Sequence, residues 1–161
     1  MEAAVGMMHT DESTLRDVVE RALTRLFATS DRINMLRRQG DGRWTAQVLV
    51  AGVRRLAVVC HSQGLVVGVG LADMNDLAPT CREAMACYAT HMSPRLRQHA
   101  LEITGGEVML VGRAGMEATE QQVLDLVAGA IAVCAMVAEH LGGLRDQRVA
   151  EAYLQIRGQG G

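Results

Sequence analysis

The sequence predicts an α+β domain: an antiparallel sheet flanked by three helices, in the order α-β-β-β-β-α-β-β-α. Two kinds of signal predict it. Apolar residues recur at helical spacing in three stretches, and between these lie short apolar runs bounded by glycine-rich turns. At 161 residues the chain has the length of one domain. Residues 1–12 read as a flexible N-terminus, 13–143 as the domain, and 144–161 as a C-terminal helical extension with a mobile Gly-rich end.

The first helix is expected from Ser13 to Ala28, where Leu15, Val18, Val19, Ala22, Leu23, Leu26 and Phe27 fall at i, i+3, i+4, i+7. Thr14 with Asp17 three residues on offers one cap, and Asp11 offers another start. Four strands follow. Arg32 to Arg38 ends at Gly40-Asp41-Gly42, whose glycines permit a reversal. Trp44 to Val50 sets Trp44, Ala46, Val48 and Val50 on one face and Thr45 and Gln47 on the other. Ala51-Gly52 turns into Arg55 to Cys60, and His61-Ser62-Gln63-Gly64 connects to Leu65 to Leu71, where Leu65, Val67, Val69 and Leu71 share a face opposite Gly68 and Gly70.

Asn75 and Asp76 can cap the second helix, with Pro79 in its first turn, an apolar stripe of Cys81, Ala84, Met85, Tyr88 and Met92, and Pro94 as its stop. Ala100 to Thr104 and Glu107 to Gly112 flank Gly105-Gly106, a hairpin signal. Thr119 and Gln122 form a capping box for the third helix, which finishes at Gly142-Gly143. From Ala128 to Ala138 that helix is apolar nearly all round, so it is either sandwiched in the core or covered by a second subunit.

Composition excludes some functions. The formal charge is −2 and Trp44, Phe27, Tyr88 and Tyr153 are the only aromatics, which disfavours nucleic acid as a partner. The most apolar run, Leu126 to Ala138, spans thirteen residues, against the roughly 20 that cross a bilayer. No membrane span is expected. Cys60, Cys81, Cys87 and Cys134 form no C-x-x-C pair, and the first residues lack a signal peptide pattern. Reduced, buried thiols and a cytoplasmic location are expected. All sixteen basic residues are Arg. Arg32, Arg37, Arg38, Arg43, Arg54 and Arg55 meet only Asp41 over their stretch, whereas Glu102, Glu107, Glu117, Glu120 and Asp125 meet only Arg113. These are solvated faces that balance across the fold, or a basic sheet surface that meets an acidic partner.

Chemistry is sought at three places. Cys60-His61-Ser62-Gln63-Gly64 resembles the turn that presents a hydrolase serine, but Cys60 replaces the first glycine and a strand pattern follows where a helix is required. Cys87 and His91 are four apart on a helix, yet Cys81 points about 240° away from Cys87, so no zinc set converges. Gly68-x-Gly70 lacks the third glycine of a dinucleotide loop, since Asp73 stands there. No catalytic residue, metal or cofactor is expected. The ten Met residues fill the core or soften a binding surface.

The element order, with Thr119 to Leu141 as a closing helix after the Gly105-Gly106 hairpin, resembles the type III secretion chaperone-like fold, including the YbjN-like proteins, over roughly Thr14 to Gly143. The resemblance implies a non-enzymatic cytoplasmic homodimer whose helix and sheet surfaces hold an extended segment of a client protein. The near-neutral charge and Arg-rich strands depart from the acidic character common in those chaperones. The residues expected to bind the partner are Arg37, Arg43, Arg54, Arg55, Met85 and Met92, and those expected at the dimer interface are Ile131, Cys134, Met136 and Val137. An alternative is a GAF-like or roadblock-like regulatory module that binds a small ligand or a small GTPase. Glu107 to Gly112 followed by Thr119 to Leu124 looks like the end of a GAF domain, and Leu56 to Leu71 fits the first roadblock hairpin. Two strands before that hairpin are surplus to it.

Overall fold

Gly40, Asp41 and Gly42 all adopt positive φ, at 73°, 49° and 75°, and so reverse the chain between β1 (Ile33–Arg38) and β2 (Arg43–Leu49). The computed structural model describes the backbone of residues 2–159 and the side chains of residues 13–158. Two further hairpins follow, into β3 (Val53–His61) and β4 (Gly64–Asp73), and the Gly105-Gly106 turn joins β5 (His99–Thr104) to β6 (Glu107–Ala114). The six strands form one antiparallel sheet in the order β1-β2-β3-β4-β6-β5. The sheet and the element order are those the sequence predicts.

Period-two alternation divides the sheet into two faces. One row runs Trp44, Val58, Val67, Gly112, His99 across β2, β3, β4, β6 and β5, and the next runs Ala46, Leu56, Val69, Leu110, Leu101. All of these are buried. The helices α1 (Glu2–Thr29), α2 (Pro79–Met92) and α3 (Glu120–Gly143) pack on this face. Complete burial of a Leu or Val here is worth roughly 1.5–3 kcal/mol each. The row therefore fixes strand register, because a one-residue slip would turn it to solvent.

α3 begins as expected: Thr119 Oγ1 accepts from the Gln122 N–H at 3.2 Å, and Gln122 Oε1 accepts from the Thr119 N–H at 2.9 Å. By length and composition this 24-residue helix could cross a membrane. In the fold its Val123, Val127, Ala130, Cys134 and Val137 are buried in the core. Its burial rests partly on His99, whose Nε2 lies 2.9 Å from the Leu126 carbonyl oxygen. Gly112 and Gly129 leave the space that this ring occupies.

Three expectations are corrected. Helix α1 extends back to Glu2, so Thr14 and Asp11 are interior positions and not caps. The expectation of a flexible segment at residues 1–12 falls on side chains outside the described residues. Phe27 is 42% exposed, because helical periodicity carries it about 120° from Leu15 and off the buried stripe. The N-cap of α2 is Ala78, with φ −60° and ψ 150° and no side-chain cap, because Pro79 at the first helical position holds the residue before it extended. The Asp73 carboxylate instead accepts from the Asn75 N–H at 2.9 Å.

Among the described residues the α-helices number four, not three. The C-terminal extension forms a separate α4 (Gln147–Gln159), started by Asp146, whose Oδ1 accepts the N–H groups of Arg148 at 2.9 Å and Val149 at 3.3 Å. It docks on α2 through buried Ala150 and a Tyr88–Tyr153 contact at 6.4 Å between ring centroids.

Candidate interaction surface

The sheet face away from the helices carries three rows. Arg37, Thr45, Ala57, Gly68, Val111 and Ala100 form the central one, with Arg43, Val59, Val66 and Arg113 on one side. On the other side lie the pairs Gln47–Arg55 and Gly70–Met109–Glu102. Thr45, Ala57, Val59, Val66, Ala100 and Met109 are half-buried, so no helix covers them. Small residues at Ala57 and Gly68 make the centre a shallow apolar trough.

A groove of about 410 Å³ lies at the β1–β3 end of this face, lined among others by Met35, Arg37, Thr45, Gln47, Val53 and Arg55. Met35 has φ 53°, and the β1–β2 register shifts between Asn34 and Arg37 around it. This bulge turns Met35 outward to 49% exposure. Gln39 Nε2 donates to Thr45 Oγ1 at 3.2 Å within the lining of the groove. Among the described residues, neither Arg37, Arg43 nor Arg55 pairs with a carboxylate. Arg113, at the other end of the face, is held by Glu102 through contacts of 2.9 and 3.2 Å, which raise its pKa.

Of the residues expected to bind a partner, the structure brings Arg37, Arg54 and Arg55 to the groove and leaves Arg43 exposed one row away. Within that lining the Arg54 guanidinium is engaged by backbone. It donates to the carbonyls of Val50 at 3.2 Å, Ala51 at 2.9 Å and Leu71 at 2.6 Å, tying the β2–β3 turn to β4. Met85 has no exposed surface, because it faces the sheet from the buried stripe of α2. Met92 is half-buried beside a second groove of about 450 Å³ between α3 and the segment before β5.

The dimer-face residues separate in the same way. Ile131, Cys134 and Val137 lie on the core side of α3, at most 4% exposed, so they are packing residues of one chain. Met136 is 40% exposed and continues a strip with Ala128 and Ala132. Burial pushes the Cys134 thiol pKa up against the opposing pull of Arg54. Among the described residues the four cysteines form no disulfide, and Cys87 is only half-buried.

The sites where chemistry was sought are placed as follows. Ser62 is exposed in the β3–β4 turn and a strand follows it. The His61 ring accepts the Gln63 N–H at its Nδ1, 3.1 Å away, and so serves the turn. Cys87 Sγ lies 3.5 Å from His91 Nδ1, while Cys81 Sγ points to the Arg145 carbonyl oxygen. Among the described residues no three His, Cys, Asp or Glu groups converge. Sequence reasoning missed Met35 and Val53; Thr45 and Gln47 were legible as the polar face of β2, but not as the floor of a groove.

No family model matches the chain, and no curated protein matches it. Among solved structures, a chain of the HopA1-SchA chaperone-effector complex is similar, with a TM-score of 0.53 at 15% identity, covering 83% of this chain and 97% of that one. The likeness is one of fold: this chain is built as a chain of that complex is.

Proposed function

We propose that this chain is a non-enzymatic, chaperone-like cytoplasmic protein that holds an extended segment of a client protein on the open face of its sheet. The observation that carries the reading is the asymmetry of the sheet, helices on one face and a half-buried apolar trough on the other. The similarity to a chain of a chaperone-effector complex supports it.

The sheet edges favour the face over strand addition. On β5 the Ser93 hydroxyl accepts the Leu101 N–H at 2.9 Å and lies 3.2 Å from the Leu101 carbonyl oxygen, occupying both groups. On β1 the Met35 bulge and the exposed Arg37 and Arg38 blunt the other edge. A second copy would pair through the Ala128, Ala132 and Met136 strip of α3, on the opposite side, which leaves the trough free in a homodimer.

A photo-cross-linking side chain placed at Thr45, and another at Glu151 on α4, tests the proposal in lysate of the native cell. Adducts to another protein from position 45 and none from 151 are expected. Cross-links from 151 alone would overturn the assignment of the face.

A further inference from the structure

Resting on that reading, we infer that the groove between β1 and β3 selects an acidic, extended peptide segment, with Arg37 and Arg55 as the residues that hold its carboxylates. Two facts carry it. Arg37 and Arg55 lie on either side of β2, paired with Thr45 and Gln47, and both line one groove. Their backbones are about 12 Å apart, from two strand spacings and one two-residue step, and two long Arg side chains can converge over that span on carboxylates laid across β2.

The second fact is where the carboxylates of this chain go. On the same face, Glu102 satisfies Arg113. Glu20 binds Arg38 and Trp44, and Glu120 lies beside Arg21 and Arg25. Among the described residues none is left at the groove, so its positive charge is complemented from outside. The planar guanidinium favours a carboxylate, which it can bind through two parallel hydrogen bonds. The Thr45 hydroxyl and the Gln47 amide supply further polar contacts on the floor. Met35, 49% exposed, and Val53, 67% exposed, flank the groove with apolar surface. The fitting ligand is therefore an extended segment whose acidic side chains fall on one face, as they do when they alternate with apolar ones.

The probe is a fluorescein-labelled peptide of alternating Glu and Leu, titrated with the full chain by anisotropy beside Lys-Leu and Ser-Leu counterparts. Binding of the Glu peptide alone is expected, weakening with salt and falling about tenfold or more in Arg37→Glu/Arg55→Glu. The pair Arg95→Glu/Arg97→Glu, on the other groove, should bind as the wild type does. Both double variants alter exposed side chains, and matched melting curves verify that they fold. Equal binding of the Lys peptide, undiminished binding in the Arg37/Arg55 variant, or no binding of any peptide overturns the inference. If cross-links from position 45 persist while the peptide arm fails, the acidic preference falls and the client-binding face stands.

Discussion

The indole N–H of Trp44 donates to Glu20 Oε2 at 2.6 Å, joining β2 to α1, and the Arg38 guanidinium takes the other carboxylate oxygen. Burial alone would raise the Glu20 pKa, but the hydrogen bonds from Trp44 and Arg38 outweigh it and hold the carboxyl below its ordinary 4.5. A carboxyl with a lowered pKa in the folded state stabilises the fold above its unfolded pKa, and this contribution is lost as pH falls through the folded value. Thermal stability should therefore drop as pH falls below that ordinary value, and Glu20→Gln should flatten that drop. The carboxylate is 35% exposed, so the loss at neutral pH is held to about 1 kcal/mol or less. Trp44 is the sole tryptophan and reports on this contact by its fluorescence. An unchanged pH slope in the variant would show that the bond contributes nothing.

Gly112 and Gly68 lie on opposite faces of the sheet and should respond oppositely to alanine. A Cβ at Gly112 would meet His99 Cδ2 and Leu126 Cδ1, both at 2.8 Å, under packed α3. We expect Gly112→Ala to cost about 1–3 kcal/mol. At Gly68 a Cβ meets only the mobile end of Met109, at 3.3 Å. Gly68→Ala should leave the melting temperature nearly unchanged while it raises the floor of the trough, a contrast that denaturant unfolding of the two variants checks.

Arg54→Ala should destabilise by about 1.5–3 kcal/mol, because three carbonyl groups lose a charged donor together. Lysine, with its single ammonium, should restore less than half of the loss. Client cross-linking from position 45 should persist in both variants at a temperature where they are folded. Loss of binding without loss of stability would show that Arg54, which lines the groove, contacts the client itself.

These cases show what periodicity makes legible. The strands, the Gly105-Gly106 hairpin and the Thr119–Gln122 box depend on residues within a few positions of one another, and each lies where the sequence predicts it. The backbone ties of Arg54 and the burial of Met85 were not legible, because an arginine on a strand and a methionine on a helix read alike whether they face solvent or another element. What decides is the Leu71 carbonyl in one case and the sheet in the other, both distant in sequence. The groove was half legible for the same reason: Arg37 and Arg55 stand out by composition, but the Met35 bulge that opens the surface beside them has no glycine to announce it. The tail reads as helical, but that α4 starts anew is decided by the Asp146 cap, which resembles any other acidic residue of a polar tail.

The turn at His61 to Gly64 separates a hairpin from a nucleophile elbow, and two substitutions distinguish them. Gly64 has φ 141°, and a Cβ there would come within 2.2 Å of the Ala114 carbonyl oxygen on β6, a backbone atom that cannot swing aside. Gly64→Ala should therefore cost about 2 kcal/mol or more, from strain and overpacking combined. Ser62 is exposed and the His61 ring is engaged by Gln63, so Ser62→Ala should change stability by less than about 0.5 kcal/mol. Wild type and Ser62→Ala should hydrolyse p-nitrophenyl acetate at the same rate, no faster than an unfolded control. Turnover by the wild type that Ser62→Ala abolishes would overturn the non-enzymatic reading, because a hydroxyl needed only for a reverse turn has no means of changing ester cleavage.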